Sequence, residues 1–404
     1  PEILAQESRD LQYYRPPDQR GVTLFESPVE TDVEFDGLQL RIGGSNTLQF
    51  QAIDQSSGAE VLEIGPNFNL ATSNLDLDVQ LHNGVRMHLR TYLSSRHHSE
   101  AWVKSGYLQM DRLDFIQEDF LGDLMDRLTI KVGHMEINYG DAHFRRSDNG
   151  QALYNPFVGN YIMDSFTTEV GGEIYFRDQG FLAMVGVTNG RLNQTVVEST
   201  PGTRPSFVGK LGYDSQIDND LRVRLTGSIY TTSQSAAIQL YGGDRAGARY
   251  YHVLSDDTAN FTTGRFNPAF SNASGGEMTA FMINPFVKYR GLEFFGMYEN
   301  ATGQTGDEAD SRTFHQIGAE LLYRFGADER FYIGGRYNHV SGEEVITAND
   351  IGITRFNVGG GWFLTPNILT KLEFVDQSYD GFTTGSRFDE GHFNGIVLEA
   401  VVSF

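Results

Sequence analysis

Apolar and polar side chains alternate along most of this chain, and the last predicted segment shows the pattern most clearly. There Ile396, Leu398, Ala400, Val402 and Phe404 fall on one face, whereas the residues between them fall on the other. A period of two is typical of a β-strand whose two faces meet different surroundings. Comparable runs recur from about residue 38 onward. Together they predict about sixteen strands.

A tight Asn-Gly turn at residues 83–84 joins two of these runs. An Asn-Gly pair between two alternating runs is the strongest short-range signal of a β-hairpin. Cross-strand geometry then places Asp78 near His88. It also places Asp76 near Arg90. We interpret these pairs as structural pairing that stops a charged wall from repelling itself, with a track for solutes as the alternative.

The connections between the runs are alternately short and long. Two places are irregular: a short tip near residues 94–101, and a longer turn at residues 116–126 that we expect to form one helical turn. Short turns at one end and long loops at the other are typical of an outer-membrane barrel, with periplasmic turns and extracellular loops. We therefore predict an all-β fold, a transmembrane antiparallel β-barrel of about 16 strands. A soluble sandwich or propeller also alternates, but charged residues here share one face and no blade-length repeat is present.

The amino-acid composition restricts where the protein can reside and which partners it can bind. The chain of 404 residues has no Cys and a formal net charge of -22, which disfavours nucleic acid because phosphate binding needs a basic surface. No apolar run approaches the roughly 20 residues of a membrane-spanning helix, so membrane residence requires a closed barrel. We predict the outer membrane of a Gram-negative bacterium, with lipid and lipopolysaccharide around the barrel. Since no signal peptide is visible at the start, we expect a processed chain.

The chain divides into two predicted parts. Residues 1–37 do not alternate, and we predict an N-terminal periplasmic arm or a subunit-contact segment, with a small plug as a further alternative. Residues 38–404 are predicted to form the barrel. Within it, the stretch at about 140–165 is the expected inward-folded constriction loop, because a barrel of sixteen strands is wide enough to need one.

The polar faces of the runs predict a charged pore wall. Its candidate residues are Asp76, Asp78, Arg86, His88, Arg90, Arg222, Arg224, Glu320 and Arg336. The candidate constriction contains Asp141, His143, Arg145, Arg146 and Asp148, with Glu169 and Glu173 on the wall. Arg145 and Arg146 facing such wall acids would produce a transverse field that orients polar solutes. Alternatively, both arginines pair with loop carboxylates and only hold the loop in place.

Two stretches resemble known porins. The terminal Phe404 in an alternating strand resembles the assembly signal of outer-membrane barrels. The sequence SGYLQMDRLDF, followed by LTIKVGHMEINYGDAHFRRS, resembles the phosphate-selective porin O and P family. That resemblance implies trimers of sixteen-stranded channels with a long third loop. The family's ladders of Arg and Lys have no residue-by-residue match here, so phosphate selectivity is not carried over.

These patterns favour a porin that passes small hydrophilic solutes or ions by passive diffusion through a water-filled pore. A homotrimer is the expected assembly. We expect no enzymatic activity, because the chain has no Cys nucleophile, no HExxH and no GxSxG; an outer-membrane hydrolase with a Ser and His site is the alternative. No cofactor is expected, although acidic extracellular loops could bind Ca²⁺. A barrel that anchors a larger envelope complex, or binds within it, remains the second candidate.

Overall fold

A computed structural model describes residues 10–93, 101–147, 150–191, 201–242, 250–258, 264–344 and 349–404. Within these ranges, sixteen antiparallel strands form a closed barrel, in which each strand pairs with its neighbours in sequence and the first pairs with the last. The predicted antiparallel barrel of about sixteen strands is confirmed. No helix in the described ranges is long and apolar enough to cross a membrane.

The strands follow one another around the barrel in chain order. They are β1 Gln39–Ser56, β2 Asn67–His82, β3 Val85–Leu93, β4 Ala101–Met110, β5 Leu128–Glu136, β6 Thr168–Asp178, β7 Phe181–Thr188, β8 Ser206–Gln216, β9 Leu221–Thr232, β10 Gly276–Tyr289, β11 Leu292–Thr305, β12 Arg312–Phe325, β13 Phe331–Glu343, β14 Asp350–Thr365, β15 Ile368–Asp380 and β16 His392–Ser403. One α-helical turn, α1, covers Gly122–Met125. Short 3₁₀ segments cover Gln19–Gly21, Ala142–Arg145 and Ala327–Glu329.

The connections differ at the two ends of the barrel. At one end, here called the turn end, most strands are joined by two to five residues, and the exception is the stretch between β4 and β5 that contains α1. At the other end, here called the loop end, lie longer connections such as residues 137–167 and 233–275. The first residue of β1 and the last of β16 both lie toward the turn end, where Phe404 and Gly44 exchange backbone hydrogen bonds.

The hairpin of β2 and β3 has the register that the sequence predicts. Asp78 lies opposite His88, and Asp76 lies opposite Arg90. Gly84 in the turn has a φ of 63°, a left-handed conformation that glycine adopts without a steric penalty. The Asn-Gly signal therefore identifies both the turn and the cross-strand pairs.

The two faces of the strands differ as the alternation predicts. On β16, Ile396 and Leu398 are about half exposed on the outer surface, at 49% and 48%, whereas Val397 and Glu399 are each only 1% exposed on the inner side. Near the turn end the outer surface carries a row of stacked aromatic rings. The row consists of Tyr323, Phe325, Phe331 and Trp362, with successive ring centres 5.9, 5.6 and 5.6 Å apart. Such a row is typical of the aromatic girdle at a membrane interface.

Replacing Leu398 by Arg tests whether the outer face contacts lipid. Arg on the lipid side near the bilayer midplane costs about 2–4 kcal/mol, so we expect Leu398→Arg to lower the free energy of unfolding by that amount. Guanidinium unfolding in lipid vesicles, followed by Trp fluorescence, measures the change. Ile217→Arg is the control, because Ile217 is exposed in the turn between β8 and β9. Equal costs at both positions would contradict a lipid-facing surface.

Candidate functional site

The connection between β5 and β6, hereafter loop 137–167, lies inside the barrel. Several of its backbone N–H groups donate to polar side chains of the wall. Ile162 donates to Asn338 Oδ1 at 2.7 Å, and Met163 donates to Gln316 Oε1 at 2.9 Å. Val158 N donates to a carboxylate oxygen of β15 at 2.6 Å. These bonds fix the loop against the wall formed by β12, β13 and β15.

An apolar layer strengthens this attachment. Leu153 and Phe157 from the loop pack in one cluster with wall residues Leu322, Tyr332 and Leu369, and both loop residues are at most 2% exposed. The inner face of the barrel is therefore not polar throughout. Where the loop covers the wall, some inward positions are apolar because loop side chains, rather than water, surround them.

Arg145 on the loop crosses to the far wall. Its Nη2 lies 2.7 Å from a carboxylate oxygen of Glu293 on β11 and 3.1 Å from one of Glu320 on β12. Arg336 on β13 also pairs with Glu320, at 2.7 Å. Arg145 therefore pairs with these carboxylates rather than with Glu169 or Glu173 on β6, which were the partners suggested by the sequence.

Arg146 makes the alternative kind of contact. Its Nε lies 2.7 Å from Asp164 Oδ1, so the pair joins two residues of the same loop. The two neighbouring arginines thus differ in role: Arg145 ties the loop to the wall, and Arg146 ties the loop to itself. Asp148 lies outside the described residues. Whether either arginine acts on solutes stays a prediction.

Asp141, at the start of the loop, is held by two cations of the wall. Its carboxylate accepts from Arg224 Nε at 2.8 Å, and Lys210 Nζ also lies 2.8 Å away. Thr226 Oγ1 donates to it at 2.8 Å. Burial alone would raise the pKa of Asp141, but the charges of Arg224 and Lys210 outweigh burial and lower it to about 2. Asp141 is therefore a buried, fully ionised anchor.

The other loop and β6 candidates are occupied by local hydrogen bonds. His143 contacts Glu136 through Nδ1 at 2.5 Å and Asn138 through Nε2 at 3.0 Å. Glu173 accepts from the backbone N–H of Asn138 at 2.8 Å. Glu169 accepts from Tyr230 Oη at 2.9 Å. These groups shape the base of the loop.

The wall candidates on β2, β3 and β9 form charge pairs on the inner side. Asp78 is fully buried and lies 2.8 Å from His88 Nδ1 and 3.3 Å from Arg86 Nη1. Further along the same hairpin Asp76 pairs with Arg90 at 2.6 Å. On β8 and β9, which pair with each other elsewhere in the barrel, Arg222 lies 2.8 Å from Asp214. The predicted wall pairing of the hairpin is present in atomic detail.

The described part of the N-terminal region, residues 10–37 and hereafter the N-terminal segment, also lies against the inside of the barrel. Gln12 bonds the β2–β3 turn, accepting from Gly84 N at 2.8 Å. Gln19 N donates to Pro366 O of the β14–β15 turn at 2.9 Å. Thr23 O accepts from Arg222 of β9 at 2.9 Å. The segment therefore crosses the turn-end opening, while its predicted role as a periplasmic arm or subunit contact stays a prediction.

Sequence reasoning did not single out two carboxylates that matter here. Glu293 carried a usable signal, because alternation places it on the inner face of β11 with Phe295. Glu26 on the N-terminal segment carried no periodic signal. Only the isolated apolar residues around it, Val22 and Phe25, hinted that this part of the segment is covered; both are buried.

A cavity of about 150 Å³ remains between the N-terminal segment, loop 137–167 and strands β2–β6. Its lining includes Arg15, Arg86, Tyr107, Lys131, Tyr154 and Tyr175. Lys131 Nζ lies 5.2 and 5.5 Å from the centres of two tyrosine rings. Within the described part of the chain, no carboxylate lies at ion-pair distance from this ammonium group. Lys131 therefore presents an ammonium group without a direct ion pair to the cavity, with Glu173 opposite it on the neighbouring strand.

Comparison with known proteins identifies the fold. No protein-family model matches the chain, and no curated protein is significantly similar to it. Solved structures are similar at low identity. The anion-selective porin from Comamonas acidovorans has a TM-score of 0.58 at 10% identity, covering 91% of this chain and 100% of that one. The fold is that of an outer-membrane porin.

Two further solved structures are similar to the chain over most of its length. The outer membrane channel DcaP of Acinetobacter baumannii has a TM-score of 0.53 at 11% identity, covering 91% of this chain and 98% of that one. OmpT of Vibrio cholerae in its trimer form has a TM-score of 0.55 at 11% identity, covering 91% and 100%. At such identities the likeness extends to the barrel fold, and the contents of the lumen must be interpreted from this chain alone.

Replacing Asp141 by Asn tests the anchor of the loop. The change leaves Arg224 and Lys210 buried with less compensation, and breaking a buried pair in this way costs about 3–5 kcal/mol. We expect the loop to loosen and trypsin to cleave after Arg145 or Arg146 in the folded barrel. Asp123→Asn on α1 is the matched control, because Asp123 is exposed. Resistance of both variants to trypsin would contradict the anchor.

The same anchor predicts an acid dependence. A carboxylate whose pKa is lower in the folded protein contributes stability above its unfolded pKa of about 4. That contribution is lost as the pH falls through the folded pKa, which is about 2 for Asp141. We therefore expect pepsin, a protease that is active in acid, to begin cleaving the loop between about pH 4 and pH 2. In Asp141→Asn the loop should already be open at pH 7, and an unchanged acid profile would contradict the assignment.

Proposed function

We propose that this protein is a bacterial outer-membrane porin through which small hydrophilic solutes or ions diffuse passively. The observation that carries the proposal is a closed barrel with apolar side chains outside, charged pairs inside and a long loop folded into the lumen. A charged lining has no purpose in a barrel filled only by apolar packing, whereas it suits a passage for water and polar solutes.

The solute path that agrees best with the position of the loop runs beside strands β2–β6. Loop 137–167 is fixed against the opposite wall by Arg145 and by the backbone bonds of residues 158–163. The cavity that contains Lys131 is left on the β2–β6 side. Selectivity is set where a pore is narrow, so the charges around this cavity, rather than those of the outer loops, filter the solutes.

The orientation and assembly follow from the same proposal. The turn end faces the periplasm, the loop end faces outward, and lipid and lipopolysaccharide surround the barrel, as in other outer-membrane barrels. A homotrimer is the assembly we propose, supported by the trimer form of the similar Vibrio cholerae protein. Transport is passive, with no chemical step. The resemblance to phosphate-selective porins rests on residues 105–147 and supports no choice of solute.

A second candidate function is an anchor or binding component of a larger envelope complex. It is favoured by one observation: the N-terminal segment and loop 137–167 together occupy much of the lumen. A channel and an anchor differ in whether the isolated protein conducts ions.

Planar-bilayer recording of the purified protein tests the proposal. We expect a stable open conductance, in three equal steps for a trimer. A correctly folded barrel without conductance would contradict the porin and favour the anchor.

Lys131→Glu tests whether the cavity beside β2–β6 is the conducting path. Because the change replaces a positive charge in the cavity lining by a negative one, the reversal potential in a salt gradient should shift toward cation selectivity. Lys131→Gln should give a smaller shift in the same direction. Lys288→Glu is the control, because Lys288 pairs with Glu329 near the turn end, away from the cavity lining. An equal reversal potential in the wild type and all three variants would place the conducting path elsewhere.

A further inference from the structure

We propose that the N-terminal segment is a plug of the turn-end opening and that Glu26 is the specificity-determining residue of the channel, because it compensates the wall cations Arg224 and Lys210. The inference rests on the proposed channel function and adds to it the residue that controls ion selectivity. It also predicts which charges are uncovered when the plug leaves.

Glu26 is bound from two sides. Its two oxygens accept from Arg224 Nη1 at 2.8 Å and Nη2 at 2.9 Å. Lys210 Nζ lies 3.4 Å away, and Asn138 Nδ2 of the loop donates to Glu26 at 3.2 Å. Glu26 thus touches the β8–β9 wall and the base of loop 137–167 together. Its side chain is only 8% exposed, so these interactions are weakly screened by solvent.

Phe25 strengthens the contact that the adjacent Glu26 makes with Arg224. Its ring packs edge-on against Phe286 of β10 and Phe144 of the loop, with centres 5.2 and 5.9 Å apart. The guanidinium carbon of Arg224 lies 4.3 Å from the centre of the Phe25 ring. One cation is therefore held by the ring and the carboxylate of two adjacent residues, which positions this part of the segment closely.

The segment can leave without disturbing the sheet. The barrel closes through β1 and β16, and residues 10–37 supply no strand. Among the described residues, one backbone–backbone hydrogen bond joins the segment to the barrel, from Gln19 to Pro366. The remaining contacts involve side chains, such as Tyr154 Oη donating to Pro16 O at 2.7 Å. Loop 137–167, in contrast, is held by strands at both of its ends.

Removing the segment changes the charge of the lumen. With the segment in place, the wall cations Arg222, Arg224 and Lys210 are paired with three carboxylates, Asp141, Asp214 and Glu26. Without it, the three cations share two carboxylates, Asp141 and Asp214. Residues 10–28 carry three acidic side chains, Glu26 among them, and two basic ones, so their loss removes a net charge of -1 from the opening. This change favours anions in the unplugged channel.

Deletion of residues 1–28 tests the plug, with deletion of residues 1–9 as the matched control that keeps the described contacts. We expect the longer deletion to raise single-channel conductance severalfold and to shift the reversal potential toward anions. The control should match the full chain. If the full chain and both deletions conduct equally with the same reversal potential, the plug proposal is wrong and the channel function stands. If none conducts although all are folded, the channel function itself fails.

Glu26→Gln tests the role of Glu26 in ion selectivity without a deletion that could impair folding. It removes one negative charge beside Arg224, so the reversal potential should shift toward anions. Glu30→Gln is the control, because Glu30 is exposed and lies four residues along the same segment. Identical reversal potentials for the two variants would overturn the role of Glu26.

Crosslinking tests the position of the segment in the membrane-inserted protein. Ser27 Oγ lies 3.5 Å from Gln109 Oε1 of β4, and the chain has no native Cys. A short thiol crosslinker should join Ser27→Cys to Gln109→Cys and hold the conductance at the level of the full chain. Ser27→Cys with Ser311→Cys at the loop end is the negative pair. Failure to join the first pair, or equal joining of both pairs, would overturn the plug.

Discussion

The structure depends on the requirement that every backbone amide and carbonyl in lipid find a partner within the protein. Pairing of β1 with β16, with Ser45 opposite Ser403 and Gln55 opposite Phe393, meets this requirement by leaving the sheet without an edge. Closure then sorts side chains by parity, except where the strand register shifts, as between Thr47 and Leu48. Alternate residues meet the outside, where apolar groups are favoured, and the rest meet an interior too wide for wall side chains alone to fill.

Loop 137–167 and the N-terminal segment lie in that interior, together with described parts of the connection between β9 and β10. Buried charges decide where the loop and the segment lie. A buried ion pair adds little net stability, because desolvation offsets much of the attraction, yet losing one partner is costly. Asp141 with Arg224, and Arg145 with Glu293, therefore act chiefly on position: a displaced loop would leave each wall charge uncompensated. The N-terminal segment uses the same wall through Glu26. One set of wall charges thus connects the loop, the segment and the passage between them.

The sequence predicted the features that depend on which face of a strand each residue takes. The strand pattern, the turn at residues 83–84 and the pairing of Asp78 with His88 follow from alternation and turn chemistry, and the structure agrees. Alternation states which face a residue takes, but not which side of a circular wall a loop approaches. The observed partners of Arg145 therefore lie five and six strands away from the suggested acids on β6. The path of the N-terminal segment was also beyond prediction, since its contacts involve isolated residues such as Phe25 without a period.

Spin labels at single cysteines along β16 test the central claim most directly, since the chain has no native Cys. In lipid vesicles, labels at Ile396 and Leu398 should be reached by oxygen, which concentrates in lipid, and protected from a water-soluble nickel complex. Labels at Val397 and Glu399 should show low access to oxygen. This alternation with a period of two is the predicted result. Equal access of oxygen to both sets, or access of the nickel complex to Ile396 and Leu398, would contradict a barrel with lipid outside and charged pairs inside.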